Sequence, residues 1–359
     1  YLSDNRYSNT LEYKENINAL YTQFGTKFNK LSVLLGLRYE DTKVNINQIT
    51  TSDFNTKRYK DFFPSAFLTY ELSEKSNVSL SYSRRVSRPR GRLINPFSNY
   101  SSNINLFKGN PDLNASYTDA IDIGYLKRWE KLTFNTSLYV NKTDESVQFI
   151  RTESGDFVST DSEGSGILTP VIITTPINLA TSLRYGFEFS LNYTPYKWWR
   201  INSNFNLYGN DTRGDYTYTD FNGETVTQNF DNDAISWFAR LSSKVTLPYK
   251  IDWQTNLNYY GPSTTAQGKS YGIAMASLAF SKDFFNEKAT VSLNINDVFN
   301  SRKRRYDTNI LNVLNSESEM QWRTRTVMMS VTYRFNQKKT DRQKVRQTNP
   351  DAGGEEFQG

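Results

Sequence analysis

The chain has 359 residues, 37% hydrophobic and 22% charged, with a net charge of +6 and neither cysteine nor histidine. Disulfide frameworks, thiolate chemistry, Cys/His zinc sites, Ser-His-Asp triads and imidazole bases are therefore excluded. The charge is too mild to argue for a nucleic-acid partner.

Mean hydropathy is −0.67, and no stretch approaches the roughly 18 apolar residues that a membrane helix needs. A barrel escapes that test, because only alternate residues of each strand face lipid. The chain opens on Tyr1-Leu-Ser-Asp-Asn-Arg, which lacks the apolar region of a signal peptide. An exported protein would therefore have a leader removed or lying upstream.

From there, a period-two alternation predicts about thirteen strands. They fall at 13–28, 31–47, 61–72, 78–88, 117–128, 132–150, 180–193, 200–209, 235–247, 251–261, 271–283, 290–299 and 322–335. The first and fifth alternate least cleanly. In the seventh, Tyr185, Phe187, Phe189, Leu191 and Tyr193 share one face, against Arg184, Glu188, Ser190 and Asn192 on the other. In the ninth, Trp237, Ala239, Leu241, Val245 and Leu247 lie opposite Ser236, Arg240, Lys244 and Thr246. In the tenth, Asp252, Gln254, Asn256 and Asn258 fill every even position. A basic side chain at mid-bilayer costs about 2–4 kcal/mol, so cations confined to one face mark a lumen and a lipid side.

Connections alternate between short (29–30, 73–77, 129–131, 194–199, 248–250, 284–289) and long (48–60, 89–116, 151–179, 210–234, 262–270, 300–321). Outer-membrane barrels have this order, with periplasmic turns and extracellular loops. Of six Trp, four (Trp129, Trp198, Trp199, Trp253) sit at short turns with Tyr196, Tyr249, Phe284 and Phe285, as an inner aromatic girdle would.

The expected fold is all-β: an antiparallel transmembrane β-barrel over residues 1–335. A flexible basic periplasmic tail, 336–359, carries Lys338, Lys339, Arg342, Lys344 and Arg346 and too little apolar content to fold alone. The last strand should end on the short-turn side, so an odd count starts the first on the loop side. Bacterial single-chain barrels have even counts with both termini inside. The chain is thus expected to be the C-terminal part of a larger barrel.

The most distinctive segment is Ser83-Arg-Arg-Val-Ser-Arg-Pro89, followed by Leu93-Ile-Asn-Pro-Phe97, Tyr100 and Gly109-Asn-Pro-Asp-Leu113. Pro89 cannot donate to a ladder and ends its strand, while Asn-Pro pairs and Gly109 form turns. The segment reads as a structured loop folded over the barrel mouth. Arg84, Arg85 and Arg88 would bind an anionic ligand there, or else pair with lumen carboxylates. Tyr100, Tyr216 and Tyr218 are further candidate ligand contacts. Asp211, Asp215, Asp220, Asp231 and Asp233 crowd one loop without EF-hand spacing and read as solvated acids. Lys303, Arg304 and Arg305 are placed to meet lipopolysaccharide phosphates, or are merely exposed. No metal, cofactor or catalytic constellation is expected.

The arginine-Ser-Arg-Pro, Asn-Pro-Phe and Gly-Asn-Pro-x-Leu succession, with the ending Tyr333-Arg-Phe335, resembles the barrel of TonB-dependent receptors, closest to the outer-membrane β-barrel family common in Bacteroidota. The tail departs from barrels that stop at the terminal aromatic. The resemblance implies a 22-strand barrel, a plug and a TonB box contacted by the energy-coupling protein, none of which is visible in this sequence. It also implies an outer-membrane location, lipid and lipopolysaccharide contacts, a possible surface lipoprotein partner, and nutrient uptake without covalent chemistry. The competing reading is a non-transporting barrel acting as a structural or assembly component of a complex.

Overall fold

The computed structural model describes residues 9–50, 52–97, 102–159, 168–310 and 313–335. Among these described residues, thirteen strands follow one another in a single antiparallel path, each paired with its neighbours along that path. They are β1 (Leu11–Phe28), β2 (Leu31–Gln48), β3 (Asp53–Ser73), β4 (Ser76–Ser87), β5 (Ser116–Arg128), β6 (Leu132–Ser159), β7 (Leu168–Tyr196), β8 (Trp199–Arg213), β9 (Asn232–Leu247), β10 (Ile251–Tyr260), β11 (Ile273–Phe284), β12 (Ala289–Asn296) and β13 (Thr326–Tyr333).

The register carries one apolar face through the whole sheet, because directly paired residues point the same way. Leu35 stands opposite Phe24 and Ala66, Leu80 opposite Leu68 and Ile123, and Leu138 opposite Ile123 and Phe187. The row continues from Leu207 to Trp237, steps two residues along the same face to Ala239 opposite Tyr259, and passes on to Ala274; at the last strand Leu293 faces Met329. Leu138 and Ile123 are 57% and 51% exposed. Such a continuous apolar surface is lipid-facing rather than a water-facing accident. Rings pave it: Phe189 stacks on Phe205 at 5.5 Å and Trp237 on Tyr259 at 4.2 Å. Gly209 leaves room for the Tyr185 ring, since a Cβ there would lie 2.6 Å from its Cζ.

The opposite face is polar and hydrogen-bonded across strands. Ser137 Oγ and Asn206 Nδ2 both donate to the Glu188 carboxylate, at 3.1 and 3.2 Å, and Ser242 Oγ donates to Asn256 Oδ1 at 2.8 Å. At the short-turn rim Tyr196 stacks on Trp198 at 5.1 Å, and Lys131 and Lys282 lie over Tyr196 and Phe284 at 6.0 and 5.3 Å. Tyr249 is 84% exposed and holds a positive φ of 62° in a turn without glycine. Its ring fits an interfacial anchor that outweighs the backbone preference for glycine.

The connections expected to be irregular at 48–60 and 151–179 are instead largely strand. The β2–β3 ladder runs up to Gln48 opposite Asp53, and β6 pairs with β7 as far as Ser159 opposite Leu168. Beyond the apolar band both faces are wet, so the apolar–polar alternation fades although Thr, Val and Ile still favour extension. Three other long connections also contain hairpin ribbons: Asp215–Thr219 with Thr225–Asn229, Ser263–Thr265 with Gly268–Ser270, and Arg304–Ile310 with Leu314–Met320. The tail expected from residue 336 lies outside the described residues.

Candidate ligand-binding site at the outer rim

The connection between β4 and β5 forms a bridge. Its turn Gly91–Leu93 delivers Ile94, 1% exposed, onto Val44 and Ile46, with Leu11, Tyr13 and Tyr59 packed alongside. Farther on, Asn105–Phe107 adds in parallel to Ile172–Thr174 of β7, and Asn110 Nδ2 donates to the Pro176 carbonyl at 3.2 Å. One connection therefore touches strands from β1 to β7. Gly109 makes its fold possible: a Cβ there would lie 2.4 Å from the Asn95 carbonyl oxygen and 2.6 Å from that of Arg92. Lys57 Nζ donates to the Leu113 carbonyl at 2.6 Å, and burial pushes its ammonium below the usual lysine range.

The arginines singled out by sequence occupy three settings here. Arg88 is buried and pairs with Glu40 at 2.5 Å and Glu15 at 3.8 Å, which matches the lumen-carboxylate alternative. Arg84 donates to Asp119 at 3.1 Å and lies over the Tyr117 ring at 5.5 Å. Arg85 donates from Nε to Ser83 Oγ at 3.1 Å and is exposed. Tyr216 and Tyr218 stack at 6.0 Å, and Tyr216 rests on the cluster Ile150, Ile177, Leu179 and Phe230. Burial raises both phenols, Asp220 adding to the effect at Tyr218. Tyr100 lies outside the described residues. Three of the five loop acids gather around a cation, Arg213 meeting Asp211 and Asp233 at 2.7 Å and Asp231 at 3.8 Å, whereas Asp215 accepts from Asn229 and Asp220 from the Asn222 and Glu224 amides.

A second constellation stands on the polar face near the outer ends of β8 to β11. A cavity of about 650 Å³ is lined there by Tyr208, Phe238, Tyr260, Met275 and Trp322, with Arg302 and Arg304. The ladder puts Tyr208, Phe238, Tyr260 and Met275 on the side opposite the lipid-facing rings. Phe238 packs on Tyr260 at 5.0 Å, and the Arg304 guanidinium lies 5.3 Å over Trp322. Two further arginines of this wall are seated on rings, Arg184 over Tyr208 at 4.0 Å and Arg240 beside Phe238 at 5.6 Å. Arg240 also donates to Asn258 Oδ1. Among the described residues no carboxylate pairs with Arg184, Arg240, Arg302 or Arg304.

Sequence grouped Lys303, Arg304 and Arg305 together, but the hairpin separates them. Arg304 turns to the inner cavity, whereas Lys303 and Arg305 line an outer one beside Tyr259 and Ala274 and both pair with Glu319, at 2.7 and 2.8 Å. The period-two spacing of Arg302 and Arg304 was the signal that would have found this split.

A polar clasp fastens the hairpins to β6. Gln267, 3% exposed, accepts from the Arg151 amide at 2.7 Å and donates to its carbonyl at 2.9 Å, replacing a strand neighbour. Arg151 Nη1 also donates to the Tyr306 hydroxyl at 2.9 Å.

Residues 1–333 match the model of the outer membrane protein beta-barrel family. No curated protein matches in sequence. Among solved structures the chain is similar to the siderophore receptor PiuA from Acinetobacter baumannii, with a TM-score of 0.63 at 16% identity, covering 90% of this chain and 44% of that one. It is also similar to the FrpB iron transporter from Neisseria meningitidis (TM-score 0.57, 14% identity, 92% and 46%). The ferric-catecholate import receptor Fiu from E. coli K12 gives 0.57 and 13%, with 90% and 45% covered. At such identities the likeness is one of fold, and the chain spans a little under half the length of these structures.

Proposed function

The chain belongs to the outer membrane protein beta-barrel family, and on that premise we propose that it is the barrel portion of a receptor for TonB-dependent uptake of a nutrient. The observation that carries this reading is the ring- and arginine-lined cavity on the inner face at the long-loop end, where a solute arriving from outside is first met. The bridge from β1 to β7 supports it by ordering the long-loop end beside the lumen. The barrel sits in the outer membrane.

In the full receptor, strands and a plug preceding these residues would complete a barrel of about twenty-two strands. The energy-coupling protein would act through that plug, and the tail from residue 336 would lie in the periplasm. Lipopolysaccharide would surround the outer rim, and a surface lipoprotein is a candidate partner of the kind Bacteroidota receptors use. Capture and release need no covalent step. Arg85 remains the mouth arginine of the sequence set best exposed to a solute.

Deleting the gene and testing growth on single iron chelates, cobalamin, glycans and peptides examines the proposal. Uptake of one nutrient should fail in this strain and equally in a strain lacking the energy-coupling protein. Unimpaired growth on all, together with recovery of the barrel in a fixed-stoichiometry complex, would favour the structural role instead.

A further inference from the structure

We propose, resting on the receptor reading, that the inner-face cavity captures a polyanionic solute bearing planar rings. Size fits first: about 650 Å³ lies within the range of small-molecule sites. The lining is decisive in charge, since Arg302 and Arg304 enter it and neither Asp nor Glu does. On the outer side of the same hairpin, Lys303 and Arg305 are already neutralised by Glu319. The chain thus has the means to pair its cations in this hairpin and leaves them unpaired on one face.

The rings supply the second half of the specificity. Tyr208, Phe238, Tyr260 and Trp322 give flat apolar faces, on which a planar group stacks in offset or edge-on geometry. An arginine seated over a ring keeps the edge of its guanidinium free for the two parallel bonds that a carboxylate or phosphate accepts. Arg304 over Trp322 has that arrangement inside the cavity, and Arg184 over Tyr208 has it on the adjoining wall. A cation is repelled, a neutral ring leaves the guanidinia in water, and a bare anion leaves the rings uncovered. Only the combination satisfies both sets of groups.

The test uses the full-length receptor purified in detergent and titration calorimetry with three probes: naphthalene dicarboxylate, naphthalene dimethanol and succinate. The diacid should bind at least about tenfold more tightly than either of the others, the difference of one charge-assisted contact set. Arg302→Gln with Arg304→Gln should weaken the diacid about tenfold or more, and Trp322→Leu should weaken it severalfold. Lys303→Gln with Arg305→Gln removes the same charge from the opposite face and should leave affinity unchanged, which also controls for folding of the hairpin. Equal binding of diol and diacid overturns the proposal, as does an undiminished affinity in the Arg302/Arg304 variant. Binding requires no energy coupling, so a failed uptake experiment with intact diacid binding counts against the transport reading alone.

Discussion

Two sets of arginines on this barrel meet opposite fates. Beneath the β4–β5 bridge, Arg88 lies between Glu40 and Glu15 with only 9% of its side chain exposed, and its charge is consumed holding the bridge to β1 and β2. Along the wall of β7 to β11, Arg184 and Arg240 are exposed and lie over Tyr208 and beside Phe238. A buried cation is committed by the cost of leaving its partners alone, whereas an exposed cation on a ring keeps its hydrogen bonds available. Position on the sheet, rather than residue type, separates the arginine spent on the scaffold from the arginine left open.

Removing the committed cation should have a large effect. Arg88→Met takes from Glu15 its cation and leaves Glu40 with Arg38 alone, and is expected to cost about 2–3 kcal/mol, read by denaturant unfolding of the detergent-folded barrel and by protease cleavage within 89–97. Adding Glu15→Gln should recover part of the loss, since Glu40 still has Arg38. Arg240→Met, its counterpart on the wall, should leave unfolding nearly unchanged, and equal losses at both sites would erase the distinction.

An arginine introduced on the wrong side should have one of similar size. Leu138→Arg places a charge on the lipid face at a cost of about 2–4 kcal/mol, while Ser137→Arg, one residue away and beside Glu188, should be tolerated. Comparable losses in lipid-vesicle refolding would mean that the faces have been misassigned. A smaller and more local response is expected for Gln267→Ala. The Arg151 amide and carbonyl lose their partners, about 1–3 kcal/mol of local stability, and hydrogen exchange should rise at Arg151 and across 263–270 with the main ladder protected. Least affected will be Lys27→Gln, since the Lys27–Glu71 pair is a single contact with both side chains exposed, and surface pairs contribute little. No shift in the unfolding midpoint is the expected result.

The faces of the barrel were legible because lipid imposes a rule on every second residue. Tyr185 to Tyr193 and Trp237 to Leu247 obey it, and the register keeps them together. Above the membrane that rule lapses. Residues 53–60 and 168–179 are strand, yet no bilayer sorts their side chains into two classes. The fate of Arg88 was legible as one of two alternatives, because a lumen must balance its charges. The cavity was not, because Arg302, Arg304 and Trp322 lie in and beside a loop hairpin that is fastened to the barrel through Gln267 and Tyr306, both bonded to Arg151, 116 and 155 positions earlier.

The bridge between β4 and β5 has a consequence for the order of assembly. Each strand of the path pairs with its sequence neighbours, so hairpins can add one after another with little loop-closure entropy. The bridge cannot follow that schedule. Ile94 can seat as soon as β1 to β3 exist, but Asn105–Phe107 must wait for β7, which comes more than sixty residues later. Its final docking therefore comes late: until β7 is in place, Asn105–Phe107 has no strand to add to, and the far half of the bridge has nothing to fasten it.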